Sequence, residues 1–335
     1  MTTIECSGSP RKMGREYGEG ARADIRYEVE NIGVYYVKPE RLDGFFAEAN
    51  RVLPVYLPDL YEELQGVAEG AGVDFKILMA MNFVDTFDNK TERCTPLMLR
   101  ESADGVIVAK NNDAGEFEKC RFVTLIRRPD KGIPVVTVTY AGWLSGLDSM
   151  NAEGVANTHG SVGSKFPRNG DRVDIRLAMM QVMKESRTSG EVLEKLGRYP
   201  LTGKGFSIAV GDKYKNTFFI DAAVPKLVKR SENEQFSYST NLYRAPEVEF
   251  ADQRDPEVRP FCAKRSEYIA ALPEPASLED IKNMLRDHSS CCAPCRHGGE
   301  ARSVTKWSMI NLPEQGKVLI ADGHPCENKY ETVTI

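Results

Sequence analysis

The feature that most constrains the fold of this 335-residue chain is a single change of pattern near residue 94. Before it, residues 12–80 carry apolar side chains at helical spacing, and a polar stretch over residues 85–93 predicts an exposed loop. After it, short apolar or alternating runs separated by Gly and Asp turns predict strands. Segregated blocks of this kind favour an α+β architecture in which sheets stack face to face and helices cover them.

The elements predicted after residue 94 come in alternating groups. Strands are expected at 106–109, 122–126, 135–140, 144–149 and 155–159, and helices at 173–185 and 190–196. A second group follows, with strands at 205–211, 217–221, 226–230 and 237–240, helices at 259–272 and 278–288, and closing strands at 303–311 and 317–321.

The composition is that of an ordinary globular protein. Lys and Arg number 44 and Asp and Glu 49, giving a formal charge of −5 without any run of five basic residues. Nucleic acid is therefore not expected as a partner. No stretch approaches the ~20 apolar residues that cross a bilayer, and the first residues lack the features of a signal peptide. We expect a cytoplasmic protein without a membrane partner.

Common catalytic motifs are absent from the sequence. It contains no GxxxxGK[ST] phosphate loop, no GxGxxG after a strand, no HExxH and no GxSxG elbow. The four histidines stand at the ends of predicted elements or in Gly/Pro-rich loops, where structural or exposed roles are more common than a relay to a nucleophile.

The eight cysteines are too sparse for a disulfide scaffold, and a reducing cytosol disfavours disulfides. The CxxC pair Cys292 and Cys295 supplies at most two ligands, whereas a structural zinc site takes four, usually from two such knuckles. No second knuckle exists, so we expect no metal and no cofactor. A zinc protein built on Cys291, Cys292, Cys295, His297 and Cys326 stays open as an alternative.

Cys94 lies at the junction of the helical and β blocks. If the Arg93–Cys94 bond were cut, the residue would carry both a thiol and a free α-amine. An α-amine has an ordinary pKa of ~7.7–8.0 and can take the proton of the thiol, so no histidine is required. The same thiol can attack the preceding carbonyl and cleave its own chain. The competing interpretation is a buried structural cysteine.

A set of motifs in a fixed order bears on this choice. They are Glu92-Arg93-Cys94-Thr95, Asp104-Gly105, Lys110-Asn111-Asn112-Asp113, Asn151-Ala152-Glu153-Gly154-Val155-Ala156, Thr240-Asn241, Cys295-Arg296-His297 and Gly323-His324-Pro325-Cys326. With the Gly14–Gly18 and Leu64–Gly72 segments, they make the chain resemble the acyl-coenzyme A:6-aminopenicillanic acid acyltransferase family, the peptidase C45 group of N-terminal-nucleophile (Ntn) hydrolases.

The resemblance implies an Ntn-hydrolase four-layer αββα sandwich. It also implies a helical N-terminal pro-segment, residues 1–93, and a catalytic domain, residues 94–335. The precursor would cleave itself between Arg93 and Cys94, and the two subunits would stay associated; a homodimer is left open. The family often has Gly before the nucleophile, whereas this chain has Arg93, whose backbone is less free.

Four catalytic residues are implied by the same resemblance. Cys94 is the nucleophile, and its α-amine is the base. Asp113 would hold the α-ammonium, Asn241 would donate to the oxyanion, and Arg296 would place a cation near the thiolate. The alternatives are a turn Asp, a turn Asn and a surface Arg.

Three further residues are expected to bind the substrate. Lys110 stands where related cysteine amidases carry Arg. Lys keeps the positive charge but lacks the bidentate fork of Arg. Asn157 and His159 belong to the segment that would line the acyl pocket.

The implied activity is that of an amidohydrolase or acyltransferase working through an acyl-Cys94 intermediate. The substrate would be a small linear amide or an acyl-CoA thioester, and the residues do not distinguish hydrolysis from transfer. The alternative is an unprocessed, non-catalytic member of the family that acts as a binding protein.

Overall fold

The computed structural model describes residues 1–33, 39–83, 94–116, 119–166, 171–231, 234–301 and 303–335. The stretch 85–93, predicted to be a loop, and the cleavage-site residue Arg93 lie outside these ranges. Within them, no helix combines the length and the apolar character that a membrane span needs.

The described strands fall almost entirely after residue 94. In chain order they are β1 Thr2–Gly8, β2 Thr95–Leu99, β3 Ile107–Ala114, β4 Phe122–Pro129, β5 Val135–Tyr140, β6 Ser149–Asn151, β7 Val155–Ser161, β8 Val173–Asp174, β9 Leu201–Thr202, β10 Phe206–Asp212, β11 Thr217–Ala223, β12 Lys226–Arg230, β13 Phe236–Tyr238, β14 Val304–Leu312, β15 Lys317–Asp322 and β16 Glu331–Thr334.

The described helices precede residue 94 or lie between groups of strands. They are α1 Pro10–Gly20, α2 Arg22–Glu28, which runs into a π-helical turn, α3 Pro39–Tyr56, α4 Pro58–Ala71, α5 Phe75–Phe83, α6 Ile175–Met183, α7 Ser189–Leu196, α8 Pro246–Glu249, α9 Arg259–Ala270 and α10 Leu278–Arg286.

Two large sheets stack between layers of helices. One has the strand order β1-β4-β5-β6-β7-β10-β11-β12 and the other β13-β2-β3-β14-β15-β16. Apolar side chains of α1–α7 pack on the outer face of the eight-stranded sheet, and those of α9 and α10 pack on the outer face of the six-stranded sheet. A third apolar core lies between the sheets. The predicted αββα sandwich is therefore confirmed.

Strand β14 shows why both faces of these sheets are apolar. Successive side chains of a strand point to opposite faces. Trp307 and Met309 accordingly enter the core between the sheets, whereas Ile310 and Leu312 enter the core beneath α9 and α10. Central strands buried on both faces read as apolar runs, which is why most of them are visible in the sequence.

One predicted element is wrong, and one strand of the structure is absent from the prediction. The strand predicted at 144–149 is reduced to β6, because Asp148 takes a left-handed conformation with φ 59°, which no extended strand accommodates. The N-terminal segment is not wholly helical, because β1 pairs in parallel with β4 at the edge of the eight-stranded sheet. Only Ile4 and Cys6 of β1 are buried, too few to stand out in the sequence.

Helices α1 and α4 cross at unusually close range because glycines face each other. A Cβ added to Gly14 would lie 2.0 Å from the carbonyl oxygen of Glu63, and one added to Gly66 would lie 2.3 Å from that of Arg11. Gly18 and Gly70 are equally enclosed by backbone. The spacing of four residues on each helix places these glycines on one face, so the backbones can touch.

We predict that Gly66→Ala destabilises the protein, because the added methyl group must push two helix backbones apart. Overpacking of this kind costs about 1–3 kcal/mol. The measurement is the free energy of unfolding in urea. Gly44→Ala in α3 is the matched control, since nothing lies within 4 Å of its added Cβ and Ala favours a helix over Gly. Equal stability of the two variants would contradict the close crossing.

A buried ion pair ties the N-terminal helices to the sheet. The guanidinium Nε of Arg127 on β4 donates to Glu63 Oε1 on α4 at 2.7 Å, and both side chains are fully buried. Removing one partner of such a pair leaves a buried charge uncompensated. Together with β1, this pair joins the described residues before Cys94 to the eight-stranded layer.

Candidate active site

A cavity opens between the two sheets at the start of β2. The six-stranded sheet contributes Cys94, Asn112, Asp113 and Trp307 to its wall, and the eight-stranded sheet contributes residues of β4, β5, β7 and β10. The wall includes a group of aromatic side chains: Phe122, Tyr140, Trp143, Phe206 and Trp307. The cavity thus combines a polar end with an apolar aromatic surface, as small-molecule sites commonly do.

Cys94 is the residue immediately before β2 and is 3% exposed. Its Sγ donates to Asn112 Oδ1 at 3.5 Å. Because β2 pairs with β3 through Thr95 and Asn111, the thiol stands next to the end of β3 that carries Asp113. The sequence-predicted nucleophile and its predicted carboxylate therefore line one cavity.

Asp113 is a fully enclosed carboxyl group with one oxygen unused. Thr305 on β14 donates its hydroxyl to Asp113 Oδ1 at 2.7 Å, whereas Oδ2 is buried without a hydrogen-bond partner in the described part of the chain. Burial raises the pKa of this carboxyl above its ordinary value, and the charges of Arg296 and Arg265 only partly oppose it. Buried oxygens normally accept a hydrogen bond, so Oδ2 is positioned to accept one from a further donor.

Arg265, which sequence reasoning missed, binds the backbone of the candidate nucleophile. It lies on α9 and is fully buried. One Nη donates to the carbonyl oxygen of Cys94 at 2.9 Å and to Thr95 Oγ1 at 2.5 Å, and the other donates to Asn241 Oδ1 at 2.9 Å. The sequence does contain a sign that Arg265 is buried. Arg265 lies on the same face of α9 as Cys262 and Ile269, which are both buried.

Asn241 is buried and has a left-handed backbone, with φ 66°. Its side chain is held at both ends. Oδ1 accepts from Arg265, and Nδ2 donates to the carbonyl oxygen of Ser161, a residue of the cavity wall, at 2.9 Å. Asn241 and Cys94 are thus linked through a single guanidinium.

Arg296 is buried but does not line the cavity. It donates to Ser303 Oγ at 2.8 Å and to the carbonyl oxygen of Ala301 at 2.7 Å. Its backbone N–H donates to Thr305 Oγ1, the hydroxyl that bonds Asp113. Its place is therefore behind the carboxylate rather than beside the thiol.

Lys110, Asp148 and His159 form a buried polar cluster at the cavity. Lys110 Nζ lies 2.7 Å from Asp148 Oδ2, and His159 Nδ1 lies 3.0 Å from Asp148 Oδ1. Burial alone would raise the pKa of Asp148, but the charges of His159 and Lys110 outweigh it and lower that pKa. Asp148 and His159 line the cavity, and Asp148 is a member that the sequence did not single out.

Asn157 lies apart from the cavity wall. Its Oδ1 accepts from the backbone N–H of Asp148, and its Nδ2 donates to the carbonyl oxygen of Gly146 and to Ser149 Oγ. The side chain therefore holds the turn before β6, which carries Asp148 into the cavity.

The chain is similar to a curated acyltransferase. No family model matches this chain. The 40 kDa form of acyl-coenzyme A:6-aminopenicillanic-acid-acyltransferase from Emericella nidulans is 23% identical to it over 212 residues. The chain resembles that acyltransferase family. The predicted resemblance is thereby confirmed, although the chain spans only 56% of the acyltransferase it matches, and the match covers 58% of the chain.

Two solved structures align at lower similarity. Penicillin V acylase from Agrobacterium tumefaciens has a TM-score of 0.45 and 13% identity, over 68% of this chain and 83% of the acylase. A mutant conjugated bile acid hydrolase from Clostridium perfringens has a TM-score of 0.41 and 11% identity, over 72% of this chain and 97% of the hydrolase.

Proposed function

We propose that this protein is a self-processing cysteine enzyme that transfers acyl groups from linear amides or acyl thioesters through an acyl-Cys94 intermediate. The observation that carries the proposal is the pairing, in one cavity wall, of a buried thiol with a buried carboxylate whose Oδ2 lacks a donor. A free α-amine on Cys94 would provide that donor. The similarity to an acyltransferase supports the same reaction class.

Processing would begin with attack by the Cys94 thiol on the carbonyl carbon of residue 93. The C–N bond to Cys94 breaks, the acyl group moves to sulfur and the nitrogen takes the proton. Water then cleaves the thioester, which leaves a carboxylate on residue 93 and a free thiol and α-amine on Cys94. Residues 1–93 form the small subunit and residues 94–335 the large one.

In turnover the α-amine of Cys94 takes the thiol proton, and the sulfur attacks the substrate carbonyl. Asp113 Oδ2 accepts a hydrogen bond from the resulting α-ammonium and keeps it in place. One N–H of Asn241 Nδ2 donates to the carbonyl oxygen of Ser161, and the second N–H, oriented by Arg265, donates to the oxyanion. The amine then returns its proton to the leaving group, and water or an acceptor amine releases the acyl group from sulfur.

The other side chains would select the substrate. The aromatic wall suits an apolar acyl group, since aromatic side chains offer large contact areas. Asp148 and His159, which line the cavity, supply polar contacts for the carbonyl or the leaving group, and Lys110 supports them from behind the wall through Asp148. Arg296 supports the carboxylate through Thr305.

The test is trapping of the acyl-enzyme. The protein is mixed with N-acyl amino acids, β-alanyl amides or acyl-CoA thioesters, quenched in acid, and its peptides are mapped by mass spectrometry. We expect one acyl group per large subunit, on Cys94. Adding an acceptor amine then distinguishes transfer from hydrolysis.

The matched control is Cys292→Ala, which removes a half-buried thiol outside the cavity wall and should keep the adduct. An adduct on another cysteine, or none with any donor, would favour the alternative of a non-catalytic binding protein.

A further inference from the structure

A second cluster of reactive side chains lies outside the cavity, where the loop after α10 meets the loop after β15. Cys295 Sγ and Cys326 Sγ are 3.5 Å apart, and His297 Nε2 lies 3.6 Å from the first and 3.2 Å from the second. His288 offers a ring nitrogen within 4.8 Å of the ligand atoms of His297 and Cys326. Cys295, His297 and Cys326 thus lie within 3.6 Å of one another, and His288 lies beside two of them.

The spacing of these atoms is that of zinc ligands. With Zn–S bonds of ~2.3 Å and Zn–N bonds of ~2.0 Å in a tetrahedron, two sulfurs stand roughly 3.8 Å apart and a sulfur and a nitrogen roughly 3.5 Å apart. The three distances between Cys295, Cys326 and His297 lie close to these values. Two thiolates and two imidazoles are a common zinc set.

The outer contact of His288 fits the same interpretation. A metal-binding imidazole usually donates its second N–H to a carbonyl or carboxylate, which fixes the ring. His288 Nδ1 lies 3.0 Å from the carbonyl oxygen of Arg286, which leaves Nε2 for a ligand. The ring of His324 stacks on that of His297 at 4.0 Å between centroids, and Glu327 lies 3.9 Å from His297 Nδ1.

A disulfide between the two cysteines explains less. The sulfurs stand well beyond the ~2.05 Å of a disulfide bond, and a disulfide gives no role to the two histidines. It also disagrees with the reducing compartment that the sequence predicts.

We propose that Cys295, Cys326, His297 and His288 bind one zinc ion, with no open position for a substrate. The site would be structural. It would clamp the loop 288–297 to the loop after β15, and Arg296, which stands behind Asp113, lies between two of the ligands. The sequence contains no second CxxC knuckle, whereas in the proposed site His288, Cys295 and His297 come from one loop and Cys326 comes from a distant one.

The test is metal binding by the full-length protein. After reduction and removal of metals with a chelator, the protein is titrated with Co²⁺, followed by Zn²⁺. We expect one equivalent of Co²⁺, with thiolate-to-cobalt charge transfer and the visible bands of a tetrahedral site. Zn²⁺ should displace it, because zinc binds such sites more tightly.

Variants separate this site from adventitious binding. Cys326→Ser should lower the affinity by more than the ~10–100-fold that outer-shell changes cause. Cys292→Ser, in the same loop, should bind like wild type. Zn²⁺ should raise the melting temperature of wild type and Cys292→Ser but not of Cys326→Ser, and circular dichroism without metal checks that each variant folds.

Three results would overturn the zinc site. They are the absence of stoichiometric metal in wild type, equal affinity of Cys326→Ser and Cys292→Ser, and a Cys295–Cys326 disulfide in protein that has been reduced and supplied with zinc.

Discussion

Replacing Cys94 with Ala is expected to leave the protein as one chain of 37.4 kDa and to abolish acyl transfer. The change removes the sulfur that cleaves the chain and carries the acyl group. Loss of a catalytic nucleophile costs on the order of 10⁶-fold in turnover. Intact mass and the rate of amide or thioester cleavage are the measurements.

Cys94→Ser refines this result. A hydroxyl can serve as an N-terminal nucleophile but is weaker than a thiolate, so this variant should process slowly and turn over slowly. Cys292→Ala should process and react like wild type. If Cys94→Ala cleaved the amide or thioester at the wild-type rate, the Cys94 thiol could not be the nucleophile.

Asp113→Asn is expected to reduce turnover by about 10²–10⁴-fold, the range for groups that act on proton transfer. The amide has nearly the shape of the carboxylate but not its charge, so it cannot stabilise the α-ammonium of Cys94. The rate is measured on protein whose processing has been checked by mass.

Stability separates this role from a structural one. Burial raises the pKa of Asp113 in the folded chain, above the ~3.9 of an unfolded Asp. The protonated carboxyl group therefore stabilises the folded chain fully when the pH is below the pKa of the unfolded state. This stabilisation is lost as the pH rises through the pKa of the folded state.

In a Cys94→Ala background, which keeps the chain uncleaved, Asp113→Asn should therefore gain stability over Asp113 as the pH rises from about 4. Urea unfolding across the pH range measures the difference. A variant that is destabilised equally at every pH would indicate that the carboxyl group only supports the fold.

Much of the fold could be predicted from the sequence because central strands and helix faces have distinct apolar periods. Strands such as β5 and β11 are mostly apolar and buried, and α10 has a clear apolar face. The exceptions have local causes. Strand β1 has two buried side chains, and the left-handed backbone of Asp148 ends an otherwise strand-like run.

Only part of the candidate active site could be predicted from the sequence. Cys94 and Asp113 line one cavity, as the resemblance to the acyltransferase family implies. The position of Arg265 depends on how α9 packs over β2, and that of Asp148 on the turn held by Asn157. Such contacts join residues more than a hundred positions apart or follow an irregular backbone, and no local pattern encodes them.

The most direct test of the central claim is the N-terminal residue of the active protein, determined by top-down mass spectrometry of the fraction that reacts with substrate. The account predicts two associated chains of about 10 and 27 kDa, the shares of the 37.4 kDa total carried by residues 1–93 and 94–335. The larger should begin at Cys94 with a free α-amine and accept the acyl group. Full activity in a chain whose residues 93 and 94 are still joined would contradict it.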